Sequence, residues 1–350
     1  MRLLRLLPLA LICLLATLTL AGPARANLLN PLRAIPWGIF YSPTLDATND
    51  PPSAYFNQAL SAVDQVALTR VLATPRFRWF GSWIPLYDEG VGATLRWGAY
   101  RTARSYIASV QNGNPKVLVS LAIFRLDPFE RDASRRLPTA AEQASYRAWI
   151  LEFTRGIRDS GARVVVLLQP DMPLARKLPH HSGIDLDLIR WTAGILASIP
   201  RVTTYIDAGA SDWARPDQMS AMLRRAGVQK VRGFGLNLTH YSSTAANVAY
   251  GKRIVADLAR HRVRGKHFVV STAMNGRPFK FQTAPRAFRE GTLCATRASR
   301  QCVTLGHPPT THTGSRLADA FLWMSRPWYN NATIRSYPEM LRIIGTSPFF

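Results

Sequence analysis

Carboxylate and amide side chains stand directly after several buried apolar runs of this 350-residue chain. Asp171 and Asp207 each follow such a run, and Asn237 closes a third. The other polar residues in equivalent positions are Asp88, Glu89, Asp127, Glu130, Asp132, His240 and Asn275. Carboxyl groups act as general acids and bases, and amides hold hydroxyl groups. With tryptophans nearby to stack on sugar rings, these polar residues suit cleavage of a glycosidic bond. The alternative is that they simply cap the ends of strands.

Eight apolar, β-branched or aromatic runs predict the strands that would position these residues: Trp37–Tyr41, Phe77–Trp83, Lys116–Phe124, Arg163–Gln169, Val202–Ile206, Val231–Asn237, His267–Thr272 and Ala320–Met324. Helical patterns lie between them: Ser53–Leu72, Ala93–Val110, Ala140–Arg158, Leu186–Ser198, Pro216–Ala226, Ala245–Arg260 and Pro338–Ile344. Alternating strands and helices predict an α/β fold, a (β/α) TIM-like barrel with active-site residues at the carboxyl ends of its strands. A doubly wound sheet is the alternative, but no G-x-G-x-x-G follows the first run.

Residues 1–26 predict a secretory signal peptide outside the fold. Arg2 and Arg5 provide the positive start, residues 6–20 are apolar, and Ala24-Arg25-Ala26 forms an A-x-A cleavage site. Cleavage after Ala26 would release a secreted or periplasmic domain of residues 27–350. An uncleaved anchor is the alternative, although the apolar stretch is short for a membrane span.

The mature chain would keep only Cys294 and Cys302. An even pair, close in sequence in an exported protein, predicts one disulfide that closes a short loop. The pairs His180-His181 and His307…His312 lack companion ligands at zinc spacing, so we expect no metal and no cofactor.

The formal charge of +23 comes from 44 basic and 21 acidic residues. Such a surface attracts anions, including nucleic acid and anionic lipid. The basic residues are scattered in ones and twos, whereas nucleic-acid proteins usually concentrate them on one face. We therefore expect no nucleic-acid partner, and adhesion of the positive surface to a polyanion is a weaker hypothesis.

Six segments resemble, in order, motifs of glycoside hydrolase family 6, the secreted cellobiohydrolases and endoglucanases. They are Val164–Asp171 (the family's Glu-Pro-Asp strand), Tyr205–Gly209 with Trp213 following (Tyr-Leu-Asp-Ala-Gly), Gly233–Asn237 with Tyr250-Gly251 following, Phe268–Gly276, the cysteine region from Cys294, and Asp319–Trp323. Trp79 is placed like the family's early sugar-stacking tryptophan. The resemblance spans about residues 30–350.

The resemblance implies a distorted barrel of about seven strands and an inverting mechanism on β-1,4-glucan. Asp171 would be the general acid. Asp207 would lie beside it and hold substrate or neighbouring groups rather than transfer a proton. Trp79 and Trp213 would stack on glucosyl rings, and Asn237 would bind a hydroxyl, although each aromatic ring is alternatively core packing. The apolar neighbours of Asp171 support the acid role independently, because desolvation raises a carboxyl pKa; Asp171 alternatively caps the next segment.

This chain departs from the family pattern at two positions: that of a second, helper aspartate and that of the catalytic base. Arg125 stands where an ungapped alignment places a second aspartate, and Asp127 or Asp132 could replace it. The family's lysine after Trp323 is lost, and its base position falls near Asn331, which cannot accept a proton. The sequence therefore predicts a monomeric, secreted β-1,4-glucanase that binds a β-glucan polysaccharide or oligosaccharide. The alternative is a catalytically weak or inactive glycan-binding relative on the same scaffold.

Overall fold

The computed structural model describes residues 29–33, 35–39, 55, 58, 61–126, 137–175, 183–284, 292–326 and 336–350. Its strands are β1 (Arg78–Gly81), β2 (Leu118–Phe124), β3 (Arg163–Leu168), β4 (Val202–Asp207), β5 (Gly233–Leu236), β6 (His267–Ser271) and β7 (Ala318–Leu322). Its helices are α1 (Ala62–Leu72), α2 (Ala99–Gln111), α3 (Ala140–Ser160), α4 (Met172–Ala175), α5 (Ile184–Ala197), α6 (Pro216–Arg225), α7 (Thr244–Arg260) and α8 (Tyr337–Gly345).

The seven strands form one parallel sheet in chain order, β1 to β7. The sheet curls into a distorted barrel, and its two edge strands meet at a seam. There the Phe77 N–H donates to the carbonyl of Trp323 at 2.9 Å, and the Trp79 indole donates to the carbonyl of Met324 at 2.8 Å. Parallel pairing brings every strand's carboxyl end to the same rim, so the predicted barrel is confirmed and its polar strand ends converge.

Three predicted elements differ from the structure. The helix predicted over Ser53–Leu72 has Ser61 as an extended N-cap residue, and α1 begins at Ala62. Trp37 forms only an isolated bridge with Leu118, so the described part of the first run is not a strand. The helix predicted from Ala93 begins at Ala99 instead, because the preceding residues form a turn in which Glu89 pairs antiparallel with Arg96. The pairing of Glu89 with Arg96 depends on contacts between residues seven positions apart, which helical spacing does not report.

Apolar side chains fill three spaces. The largest cluster lies between the sheet and its helices and contains Trp149 and Phe153, which stack with ring centroids 4.7 Å apart. A second lines the barrel interior, and a third joins α1 and α8 near the seam. Helix α3 begins with a capping box, in which Thr139 and Glu142 satisfy each other's backbone N–H groups.

The predicted disulfide between Cys294 and Cys302 is present, with Cα atoms 5.0 Å apart. It ties together two segments that also pair through their backbones, since the Cys294 N–H donates to the carbonyl of Val303 at 3.1 Å. Across the described ranges, no helix has the length and apolar character needed to cross a bilayer.

Candidate active site

Asp171 lies three residues beyond the carboxyl end of β3, in a backbone conformation that is rare for its type. Gln169 and Asp171 have φ angles of 53° and 60°, in the left-handed region that non-glycine residues seldom occupy. Gln169 is held there because its backbone N–H donates to the carbonyl of Ile123, and its side-chain oxygen accepts from the Leu126 N–H. Strained backbone held this firmly is typical of functional sites.

Asp207 ends β4 and holds the Asp171 loop in place. Its Oδ2 accepts the Asp171 backbone N–H at 2.8 Å, and its Oδ1 accepts the Gly209 N–H at 3.0 Å. The side chain is only 1% exposed. The two aspartates predicted from the sequence are therefore brought together, with one positioning the other through the backbone.

Burial raises the pKa of Asp171, while the hydrogen bond from Thr239 acts in the opposite direction. The pKa of Asp207 is raised well above its usual range, mainly by burial and secondly by the negative charge of Asp171. Backbone N–H donors only partly offset this shift. Two neighbouring buried carboxyl groups resist double ionisation, so the pair favours a state that carries at least one proton.

Thr239 is a site residue that the sequence analysis did not identify. Its hydroxyl donates to Oδ1 of Asp171 at 2.5 Å, from the loop that follows β5. In the sequence it appears only as the third residue of an Asn-x-Thr glycosylation pattern, and Asn237 of that pattern is 2% exposed. No spacing rule links residues 68 positions apart, so only the fold could reveal this contact.

The loop carrying Thr239 is fixed by three asparagine side chains that converge on the backbone carbonyl of Ser242. Asn237, Asn247 and Asn275 donate to this oxygen at 3.2, 3.4 and 3.0 Å. Asn237 also donates to the carbonyl of Ser271 and accepts from the Ser242 hydroxyl. The described contacts of Asn237 are thus within the protein, and its predicted bond to a substrate hydroxyl stays a prediction.

Trp213 lies beside the loop that carries Asp171. A Cβ atom added to Gly209, whose φ is 67°, would lie 2.5 Å from the Trp213 ring and 3.3 Å from Pro173. The ring of His240 meets Trp213 edge to face with centroids 5.4 Å apart. His240 is held in turn by Asp212, whose carboxylate lies 2.8 Å from its Nε2. Gly209 and His240 therefore pack against the indole, and its predicted stacking on a sugar stays a prediction.

Trp79 lies at the seam, where its ring packs against Phe124 with centroids 5.5 Å apart. Trp83 contacts the same phenylalanine at 6.5 Å and is 48% exposed. Trp79 itself is partly buried, and its indole N–H donates to the carbonyl of Met324. The structure places Trp79 at the rim, where its predicted stacking on a sugar stays a prediction.

Other strand-end residues have structural partners. Asp88 accepts the Gly98 N–H at 2.8 Å and pairs with Arg101 at 3.0 Å, and these bonds lower its pKa. Arg125, at the helper position, donates to the Ser145 hydroxyl on α3 at 3.1 Å. The proposed substitutes and the base position, Asp127, Asp132 and Asn331, lie outside the described residues. Over the ranges that the structure describes, no three His, Cys, Asp or Glu side chains are grouped for a metal ion.

The chain matches a known family over most of its length. The family model described as glycosyl hydrolases family 6 matches residues 47–329. Endoglucanase 1 of Streptomyces halstedii is 30% identical over 259 residues, which cover 73% of this chain and 70% of that protein. Endoglucanase A of Cellulomonas fimi is 26% identical over 80% of this chain, which spans only 54% of that longer protein.

A solved structure agrees with the fold. The endoglucanase Cel6 from Mycobacterium tuberculosis, in complex with methyl-cellobiosyl-4-deoxy-4-thio-β-D-cellobioside, superposes with a TM-score of 0.70. The two share 24% sequence identity, and the match covers 91% of this chain and 98% of that one. At this identity the likeness concerns the distorted barrel itself.

Proposed function

Because the chain belongs to glycosyl hydrolases family 6, we propose that it hydrolyses β-1,4-glucan with Asp171 as the general acid. The observation that carries the proposal is the setting of Asp171: a carboxyl group of raised pKa, held at the barrel rim between Thr239 and Asp207. A general acid must keep its proton near the working pH and present it to the leaving oxygen. The endoglucanase relatives support a glucan as the substrate.

Asp171 would transfer its proton from Oδ2, because Oδ1 accepts the Thr239 hydroxyl. Protonation of the glycosidic oxygen turns a poor leaving group into a neutral alcohol as the bond to the anomeric carbon lengthens. The Asp207 bond to the Asp171 N–H fixes the direction of this carboxyl group. A preset direction spares the reaction the entropic cost of orienting the acid.

Water, rather than a protein carboxylate, would attack the anomeric carbon, and the configuration would invert. A retaining mechanism needs a second carboxylate to bond with the sugar. Asp207, the carboxylate next to the acid, is 1% exposed and accepts backbone N–H groups on both oxygens. Because Asp207 is buried and each of its oxygens accepts a backbone N–H, it suits positioning and not nucleophilic attack.

Trp79 and Trp213 would stack on glucosyl rings, and Asn237 would hydrogen-bond a sugar hydroxyl. Indole faces suit the flat, apolar C–H faces of β-linked glucose, and the described packing fixes both rings. The disulfide fits an oxidising compartment, which supports export of the protein. We propose that the exported form is a single monomeric domain produced by cleavage behind Ala26. The residues placed at the site need no cofactor for this chemistry.

Release of reducing sugar from a panel of soluble and insoluble β-glucans tests the substrate. We expect release from β-1,4-linked glucans, and NMR of the first product should show the α-anomer before mutarotation. Inversion is expected because a single attack by water reverses the configuration. A β-anomer as the first product would contradict the proposed mechanism, and release confined to glucans that lack β-1,4 linkages would contradict the substrate.

We expect Thr239→Val to move the alkaline limb of the kcat/KM profile to higher pH. The Thr239 hydroxyl stabilises the ionised form of Asp171, so its removal raises the carboxyl pKa further and the acid keeps its proton longer. Thr239→Ser is the matched control, since it keeps the hydroxyl and should keep the limb where it is in the wild type. A limb that stays in place or moves to lower pH in Thr239→Val would show that this hydroxyl does not tune the acid.

A further inference from the structure

A cavity of about 270 Å³ opens at the amino-terminal end of the barrel, at the opposite end of the strands from Asp171 and Asp207. Its walls are the start of β4, the segments that lead into β5 and β6, the end of α5 and the chain near Leu29. The lining residues are chiefly Val202–Thr204, Gln229–Arg232 and Gly265-Lys266. The cavity is therefore separate from the proposed glucan site.

The lining is positively charged. Lys230, Arg232 and Lys266 all line the cavity, and none of the described lining residues is acidic. Asp319 balances Arg232 through bonds of 2.9 and 3.0 Å, but it contacts Arg232 from β7 and is not part of the cavity wall. The two lysines therefore give the cavity an excess positive charge.

The Lys266 ammonium group is held at this positively charged cavity, where burial and a neighbouring positive charge disfavour its charged form. Its Nζ donates to the carbonyls of Val231 at 2.6 Å and Gln229 at 3.2 Å, and an ammonium group carries three donors. Burial, and then the charge of Arg232, lower its pKa to about 8. An anion in the cavity would relieve both effects by supplying an acceptor and an opposite charge.

Thr204 on β4 provides an independent indication. The residue is 3% exposed, and its hydroxyl has no hydrogen-bond partner among the described residues. Buried hydroxyl groups are nearly always hydrogen-bonded, because an unmet donor costs free energy. Thr204 lines the same cavity as Lys266, so a bound acceptor would satisfy it.

We infer that this cavity binds a small oxyanion, the phosphate or carboxylate group of a compact organic or inorganic acid. Lysine ammonium groups bind such oxygens as point charges, and a threonine hydroxyl adds a directional bond. The volume exceeds what a single tetrahedral anion occupies, so a small organic substituent fits beside the charged group. Macromolecular polyanions suit an open surface rather than a pocket of this size.

Calorimetric titration of the full mature protein with inorganic phosphate and with citrate, at pH 7 and constant ionic strength, tests the inference. We expect one site for at least one of the two probes, and the probe that binds identifies the preferred group. Lys266→Met and Thr204→Val should each weaken binding, the former by about tenfold. Lys252→Met is the matched control, because it removes one exposed lysine charge on α7, outside the cavity.

Two results would overturn the inference: no saturable binding of either probe, or an equal loss in Lys252→Met and Lys266→Met, which would indicate diffuse attraction to a basic surface. If Lys266→Met does not fold, as judged by its thermal transition, Thr204→Val and the exposed Lys230→Met carry the test. Glucan hydrolysis should be unchanged in these variants, so failure here is distinct from failure of the proposed function.

Discussion

We expect Asp171→Asn to lower kcat/KM on the best β-glucan by at least about 100-fold, equivalent to about 2.7 kcal/mol of transition-state stabilisation. Asparagine has nearly the same shape and can still accept the Thr239 hydroxyl, but it has no proton of suitable acidity to give to the leaving oxygen. The loss should fall on kcat, since ring stacking by the tryptophans does not depend on this proton. Initial rates of reducing-sugar release over a range of substrate concentrations separate kcat from KM.

Asp88→Asn is the matched control for this experiment. Asp88 also follows a barrel strand, but it accepts the Gly98 N–H and pairs with Arg101 of α2, and asparagine keeps the backbone bond. Its kcat/KM should stay close to that of the wild type. If the wild type released no sugar from any glucan while both it and Asp171→Asn were retained on one of them, the chain would be a glycan-binding protein.

The fold was largely predictable because its signals are local. Seven of the predicted strands and the helices between them correspond to those in the structure, since continuous apolar runs mark buried parallel strands and amphipathic spacing marks their crossovers. The same periodicity placed Asp171 and Asp207 at adjacent strand ends. The turn before α2 was missed because pairing of Glu89 with Arg96 depends on contacts that local pattern does not encode.

The inner structure of the site was not predictable in the same way. Thr239, the Ser242 carbonyl and the His240–Asp212 pair act through contacts between loops that follow different strands. Each loop's sequence looks like an ordinary polar turn, so residue type alone does not separate a group that tunes the acid from one that fixes a backbone. Asn237 shows the difficulty, because the motif suggests a sugar ligand while its amide atoms hold the surrounding loops.

Asp207→Asn is expected to change the pH dependence of stability and to leave the pH dependence of activity in place. The folded-state pKa of Asp207 is raised well above its ordinary value, so the folded protein binds the proton more tightly than the unfolded chain does. Its contribution to stability is therefore fully present below the ordinary aspartate pKa and is lost as the pH rises through the raised one. Wild type should lose stability over this window, and Asp207→Asn should lose less.

The measurement is the free energy of unfolding of both proteins from denaturant titrations across that pH window. Asparagine has one acceptor oxygen for two buried N–H donors, which costs about 1–3 kcal/mol at every pH. The informative quantity is therefore how the difference between the proteins changes with pH, not its sign. Asp88→Asn should show the opposite trend, because the pKa of Asp88 is lowered and its contribution is lost as the pH falls.

Activity gives the second readout of Asp207→Asn. The pKa of Asp207 is raised well above its usual range, so Asp207 stays neutral while Asp171 ionises. Asp207→Asn should therefore leave the alkaline limb of kcat/KM in place, whereas Thr239→Val moves it to higher pH. A shift from one neighbour and none from the other is difficult to explain unless Asp171 is the titrating acid. If Thr239→Val left the limb in place, or if Asp207→Asn moved it as far, the observed pKa would belong to another group and Asp171 would lose its assigned role.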